Sequence, residues 1–284
     1  MSTVTSIIFA AGRGTRMKGY EGNKTLLPLI PGESRYDGSR PLIMEVLDNL
    51  PAGQRAIVVN YRADEVRRVT GSRGISFIRQ PVMNGTGGAL LAARPFLTST
   101  DADRVIITMG DVPLIRTATY RRLLDLLGRC ELALLGFQCR HRAHYGMMEM
   151  EGERVTRIVE WKYWKDFSQE RQNTLKYCNA GVYAAARKTL LAYMDRLEKR
   201  PHEVSKQQDG AWVAITEYFL PDMAEMMNED GLPVAMALAP EHEVIGVDTP
   251  ESLEAVQKLY GAISTLSPPD GAAGKPPVPD ALIQ

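Results

Sequence analysis

The sequence predicts an α/β fold in three layers, α/β/α, around a mixed and mostly parallel central sheet. Two observations carry this. Short apolar runs bounded by turn residues alternate with segments of helical spacing through the first half of the chain, the pattern of strands covered on both faces by crossover helices. A glycine-rich loop follows the first run directly, and the carboxyl ends of parallel strands are where open α/β sheets bind ligands.

In chain order, Thr5 to Ala10, Arg55 to Asn60, Ile75 to Arg79 and Arg104 to Met109 read as strands. Between them, Pro41 to Asn49, Ala63 to Val69, Gly87 to Pro95 and Thr117 to Leu127 read as helices. After Leu132 the alternation loosens into strand-like runs at Ala133 to Cys139, Met147 to Met150 and Val155 to Glu160, a more mixed part of the sheet. Helical segments at Lys188 to Lys199 and Thr216 to Asn228 precede a strand at Pro233 to Leu238 and a final helix from Pro250 to Tyr260. The folded domain is expected to span residues 1–262. Residues 263–284, rich in proline and glycine, are expected to form a flexible tail.

Bulk properties narrow the function. With 284 residues and 44% hydrophobic side chains the chain can bury one large core, with or without a small lobe. Basic and acidic residues number 34 each, so no general positive field exists to hold nucleic acid or an anionic membrane. No apolar stretch approaches the roughly 20 residues of a membrane span, and the N-terminus lacks the basic region of a signal peptide. Cys130, Cys139 and Cys178 are too few and too scattered for a disulfide framework. A soluble protein of a reducing cytoplasm is expected.

The loop after the first strand is Ala10-Ala11-Gly12-Arg13-Gly14-Thr15-Arg16-Met17. Gly12 and Gly14 permit backbone angles closed to other residues and close approach of amide groups to a ligand. Successive amides can then form an anion-binding nest, with Arg16 as a forked donor to phosphate and Lys24 as a point charge. The same residues also suit a tight strand-to-helix turn with solvated basic side chains. The spacing is neither G-x-x-x-x-G-K-[ST] nor G-x-G-x-x-G.

Two carboxylates follow other apolar runs. Asp111 stands just beyond Ile106 to Gly110, and Asp248 beyond Val244 to Val247, before a helix that starts near Pro250. Asp111 competes with a turn reading because of Pro113, and Asp248 with helix capping. Together, two carboxylates at strand ends could hold one Mg²⁺, which takes its other ligands from water and phosphate. Such a site moves phosphoryl or nucleotidyl groups.

The ordered set of AAGRGTRM, Lys24 with Leu-Pro-Leu, Gln80 through Gly87, Gly110 to Leu114, Tyr145-Gly146, Val155 to Glu160, Asn179-Ala180-Gly181 and Gly246-Val247-Asp248 resembles the nucleotidyltransferases that make nucleotide sugars. It is most similar to the uridylyltransferase domain of bacterial UDP-N-acetylglucosamine pyrophosphorylase. The resemblance runs from about Ser6 to Tyr260. It implies a Rossmann-like, glycosyltransferase A-like fold and Mg²⁺-dependent transfer of UMP from UTP to a sugar 1-phosphate, releasing pyrophosphate.

Residue roles follow from the resemblance. Ala11, Gly12 and Gly14 would contact the nucleotide through the backbone, and Gln80, Gly85 and Thr86 would read the uracil edge. Arg16 would contact the departing pyrophosphate, and Lys24 the phosphates at the reacting centre. Asp111 and Asp248 would bind Mg²⁺, and Gly146, Glu160 and Asn179 would hydrogen-bond the sugar. Bland readings stand beside these: Gln80-Pro81 ending a strand, Glu160 pairing with Lys162, Asn179 to Gly181 forming a turn.

The chain departs from the family pattern in several places. Asn23 stands before Lys24 where many relatives have proline, and Gly32 to Arg40 is an extra loop. Met109 replaces a frequent tyrosine, Asp248 a frequent asparagine, and Trp161 to Tyr177 is long and aromatic. No hexapeptide array follows Tyr260, so the acetyltransferase domain of bifunctional relatives is not expected. Rival functions are a cytidylyltransferase acting on phosphocholine or an acidic sugar, and a catalytically idle binder of sugar nucleotides. Cys139, His141 and His144 form an incomplete zinc-like set, and Trp161, Tyr163 and Trp164 could stack on a sugar or pack in the core.

Overall fold

The computed structural model of the chain describes residues 3–140, 142, 144–208 and 211–266. The strand β1 (Val4–Ala10) is followed by a short hairpin, β2 (Pro28–Pro31) and β3 (Gly38–Pro41), whose tip is the extra loop of the sequence. Then come α1 (Leu42–Asn49), β4 (Gln54–Val59), α2 (Ala63–Thr70), β5 (Ser76–Arg79), α3 (Gly85–Ala92), α4 (Arg94–Ser99), β6 (Arg104–Met109) and α5 (Thr117–Asp125). The second half contains β7 (Leu132–Phe137), β8 (Met147–Glu151), β9 (Arg154–Val159), α6 (Trp161–Trp164), α7 (Gln169–Thr174), β10 (Tyr177–Ala186) and α8 (Arg187–Leu197). It closes with a hairpin of β11 (His202–Gln208) and β12 (Ala211–Glu217), then α9 (Asp222–Glu229), β13 (Val234–Leu238) and α10 (Pro250–Leu266).

Among the described residues the central sheet has the order β5-β4-β1-β6-β10-β7-β13-β9-β8. The first four strands are parallel. β10 runs against both β6 and β7, while β13 is parallel to β7. The sheet is therefore mixed, as the loosened pattern after Leu132 suggested.

Alternation along the strands builds the three layers. On β1, Ile8 and Ala10 face a core closed by Val46 and Leu47 of α1, Val66 of α2 and Leu123 of α5. Ile7 and Phe9 face the opposite core, closed by Leu90 of α3, Leu97 of α4, Met194 of α8 and Met227 of α9. A third, smaller cluster joins Met17, Leu27 and Leu29 to Leu253 and Val256 of α10, which holds the C-terminal helix against the N-terminal loop region.

Several elements differ from the sequence reading. The helix expected over Gly87 to Pro95 is two helices, because Pro95 lies in the first turn of a new one after Ala93. The helix expected from Thr216 begins only at Asp222, after Pro221, and Thr216 belongs to β12. α10 continues past Tyr260 to Leu266, and the rest of the expected tail lies outside the described residues.

Asn179 to Gly181 is not a free turn but a register shift inside β10, with Gly181 at φ +72°. Cys139 and Cys178 are paired in a disulfide with Cα atoms 6.5 Å apart and Cys130 is free, a single bridge where the few and scattered cysteines offered no disulfide framework. The two lie 39 residues apart in sequence and meet only because the chain leaving β7 returns beside β10. Cys139 is thus no thiolate ligand for the zinc-like set, and His141 lies outside the described residues. No described helix is long and apolar enough to cross a membrane.

The segment after β12 is locked to the start of α3. Gly87 N–H donates to Tyr218 O at 2.8 Å, Tyr218 N–H to Asn84 O at 2.9 Å, and Leu220 N–H to Thr86 Oγ1 at 3.1 Å. A Cβ on Gly87 would come within 2.6 Å of the Tyr218 backbone. Gly87→Ala is accordingly expected to destabilise the fold by about 2 kcal/mol, read as a lower urea midpoint with an unchanged m-value.

Candidate active site

Asn23, fully buried, fixes the entrance to the site. Its Nδ2 donates to Ala10 O at 3.0 Å and Tyr61 O at 2.8 Å, and its Oδ1 accepts from Thr25 N–H and Thr25 Oγ1. All the side chain's polar capacity is thus spent on tying a short 3₁₀ turn, Lys24–Leu26, to the end of β1 and the end of β4. Lys24 begins that turn and is aimed by it. Gly14, in the left-handed region at φ +63°, lies against the lysine stem, where an added Cβ would stand 3.2 Å from Lys24 Cδ. Gly12 has open space where its Cβ would be and no left-handed angle, so only Gly14 needs the special backbone freedom expected of both.

The Lys24 ammonium lies between two carboxylates. Nζ is 2.5 Å from Asp248 Oδ1 and also bonds Asp111 Oδ2. Arg16 Nη2 takes the other oxygen of Asp248, Oδ2, at 3.0 Å. Burial pulls the lysine pKa down, but the charges and hydrogen bonds of Asp111 and Asp248 outweigh it, and the ammonium is held above its ordinary range. Burial alone would raise the Asp248 carboxyl, and Lys24 and then Arg16 bring it below its ordinary value.

Backbone bonding brings the two aspartates together: Val247 N–H donates to Asp111 O at 2.9 Å, so the approach to α10 runs beside the end of β6. Capping does not occupy Asp248. Thr249 Oγ1 accepts from Ser252 N–H at 3.2 Å and Ser252 Oγ accepts from Thr249 N–H at 3.0 Å, a reciprocal box that leaves the Asp248 carboxylate to Lys24 and Arg16.

A cavity of about 1020 Å³ opens beside these groups. Ala11, Gly12, Gly14, Lys24, Gln80, Gly85, Thr86 and Asp111 all line it. Gln80 follows β5, and its Nε2 donates to Asn84 Oδ1 at 3.0 Å and Gly85 O at 3.1 Å, which leaves Oε1 as an acceptor. Gly85, at φ +89°, and Thr86 also carry the contact with the Tyr218 segment. That segment delivers a wall the sequence did not signal: Trp212, Ile215 and Thr216 of β12 and Ser205 of β11 face the same cavity. Trp212 is 72% exposed and stands out as an apolar group at an open site.

Gly146, Glu160 and Asn179 form a second group. Asn179 N–H donates to Gly146 O at 2.8 Å, and Glu160 Oε1 would lie 3.4 Å from a Cβ on Gly146. The Asn179 amide shapes the β10 bulge, with Oδ1 accepting from Gly181 N–H and Nδ2 donating to Tyr183 Oη. Burial raises the Glu160 carboxyl pKa, and Lys162 reduces that effect from a distance without a hydrogen bond. Met109 joins the groups: it lines the cavity, and its Cε would be 3.3 Å from a Cβ on Gly181. Trp164 is core, with Nε1 donating to Tyr145 O at 2.8 Å, whereas Tyr163 is half exposed.

Residues 6–211 match the family model of the MobA-like NTP transferase domain. The chain belongs to this family. It is 31% identical over 253 residues to the bifunctional protein GlmU of Cereibacter sphaeroides, a match covering 87% of this chain and 50% of that protein. The chain thus spans about half the length of the curated relatives it matches.

Among solved structures, the uridine diphosphate N-acetylglucosamine pyrophosphorylase of Trypanosoma brucei superposes with a TM-score of 0.71 at 13% identity, covering 93% of this chain and 66% of that one. The CMP:2-keto-3-deoxy-manno-octonic acid synthetase complexed with CTP gives 0.61 at 17% identity, covering 92% and 99%. These likenesses show the nucleotidyltransferase, glycosyltransferase A-like fold.

Two outcomes follow from the geometry. Asn23→Ala strands the Ala10 and Tyr61 carbonyls and frees the lysine turn, so chemical denaturation should show a loss of about 3 kcal/mol. Glu160→Gln removes a carboxyl whose folded pKa lies above its unfolded one. Ionisation of such a group costs stability above the unfolded pKa and nothing below it. The variant should therefore melt higher than the parent at pH 8, with the difference vanishing at pH 4.

Proposed function

We propose that this protein catalyses Mg²⁺-dependent transfer of UMP from UTP to a sugar 1-phosphate, forming a nucleotide sugar and pyrophosphate. The observation that carries the reading is the meeting of Lys24, Asp111 and Asp248 at the edge of the glycine-loop cavity. The donor set fits a magnesium ion: two carboxylates converge on one point already chosen for a cation, and hard oxygen ligands suit it. A magnesium ion held by Asp111 and Asp248 would neutralise phosphate charge and orient the triphosphate.

The chain's own residues supply the rest. Amides of the Ala11 to Gly14 loop cradle phosphate oxygens, and Ala11 and Gly12 leave room for the nucleoside above them. Gln80 Oε1, free because Nε2 is tied to Asn84 and Gly85, suits the N3–H of uracil, while Gly85 and Thr86 frame the base. Gly146, Glu160 and Asn179 hold the sugar hydroxyls. The acceptor phosphate is ionised at neutral pH and attacks the α-phosphorus in line without a general base. Lys24 stabilises charge at the reacting centre and Arg16 charge on the departing pyrophosphate, so catalysis rests on positioning and electrostatics.

Gln80 Oε1 also suits the N4 amino group of cytosine, which keeps a cytidylyltransferase acting on phosphocholine or an acidic sugar as the second reading. The test is pyrophosphate release from each nucleoside triphosphate with a panel of sugar 1-phosphates and phosphocholine, with and without Mg²⁺. UTP with a sugar 1-phosphate is expected to give the signal, lost on chelation. Preference for CTP moves the assignment to the rival, and silence with every pair indicates a non-catalytic binder. Asp111→Asn should lower kcat by about 100-fold or more with the melting transition retained.

A further inference from the structure

Lys24 holds the point on which the two carboxylates converge. Its Nζ bonds Asp111 Oδ2 and Asp248 Oδ1, and Arg16 takes Asp248 Oδ2. Two negative charges meet two positive ones, so the site is neutral before any ligand arrives. The lysine side chain is 15% exposed and the turn it begins is fastened by Asn23 through Thr25, whereas the Arg16 side chain is 59% exposed and approaches from the rim. A divalent ion bound to both aspartates needs oxygens at about 2.0–2.1 Å. An ammonium 2.5 Å from Asp248 Oδ1 and bonded to Asp111 Oδ2 fills that place. One cation or the other can be there.

The turn that carries the lysine is fixed by neutral bonds, whereas the lysine's head is held by charge at the end of a flexible stem. Four methylenes separate Nζ from the pinned backbone, and Gly14 presents no side chain along the stem. The glycine loop on the cavity side offers a binding place for triphosphate oxygens, which are acceptors for both Lys24 and Arg16.

We propose that Lys24 is an internal competitor for the metal: it blocks the Asp111–Asp248 pair until a triphosphate draws the ammonium away, so the divalent ion enters with the nucleotide and not before it. Arg16 acts the same way on Asp248, more weakly because it is solvated. Metal and triphosphate then bind with positive linkage, and by reciprocity each tightens the other to the same degree. The inference rests on the reading of Asp111 and Asp248 as metal ligands.

The experiment measures Mn²⁺ binding to the full chain without nucleotide, by loss of the free-ion paramagnetic resonance signal. Lys24→Gln is expected to bind Mn²⁺ about tenfold or more tightly than the parent, and Arg16→Gln about threefold. Mn²⁺ should correspondingly raise the melting temperature of Lys24→Gln more than that of the parent. Misfolding cannot produce a gain of affinity, and the rim position of Arg16 keeps the second variant informative if the first is unstable. Equal or weaker Mn²⁺ binding by both variants overturns the proposal while leaving the metal ligands untouched. Adding Asp111→Asn to Lys24→Gln should abolish the gain. A double variant that binds as tightly as Lys24→Gln places the ion elsewhere and overturns the proposal together with the reading beneath it.

Discussion

A buried ammonium near the start of the chain, shared between carboxylates from the middle and from near its end, is the constraint on which the site depends. Lys24 and Asp248 are 224 positions apart in sequence and bond at 2.5 Å. Taking three charges out of water is costly, and the attraction between them offsets that cost only if the geometry is held. The holding is done by neutral bonds around them: Asn23 on the lysine side, Val247 to Asp111 between the aspartates, and the Thr249–Ser252 box that relieves Asp248 of capping. The apolar contacts of Leu253 and Val256 with Leu27 and Leu29 bring the last helix close enough for any of this to happen.

The rest of the cavity is assembled by a second long-range contact. Residues around Tyr218 bond to the start of α3, so the β11–β12 hairpin and the Gln80 to Thr86 loop form one connected wall. Gly85 and Gly87 are required by this approach of backbone to backbone. Their conformational role and the proposed framing of a base are compatible, since the packing turns the loop so that the Gln80 side chain is held through Nε2, with its backbone fastened to Val59 and Asn60. Met109 then connects this wall to the Gly146, Glu160 and Asn179 group at the bulge in β10.

Much of the frame could be read in one dimension because its signals are local. β1, β4 and β6 are continuous apolar runs, since helices cover both of their faces, and the glycine loop and Asp111 follow their ends directly. β10 was harder: Asn179 and Gly181 look like turn residues, and only pairing with β6, β7 and β8 shows that they make a bulge within a strand. In the β11–β12 hairpin β11 is mostly polar and Trp212 to Thr216 of β12 lie exposed or half-buried over an open site, so the hairpin carries no core signal, and the apolar run through Leu220 disguises its end as the start of a helix. The Cys139–Cys178 pairing has no signature in spacing at all.

The sequence by itself determined the α/β class, the loop that presents amides after the first strand, and the residue types able to meet a phosphate and a divalent cation, because each depends on neighbours within a few residues. Only the tertiary structure decided that Lys24 lies between Asp111 and Asp248, that Thr249 rather than Asp248 caps the last helix, and that a hairpin lines the cavity together with the glycine loop. These depend on distances between segments far apart in the chain, and such distances are set by packing of the shared core and not by any local pattern.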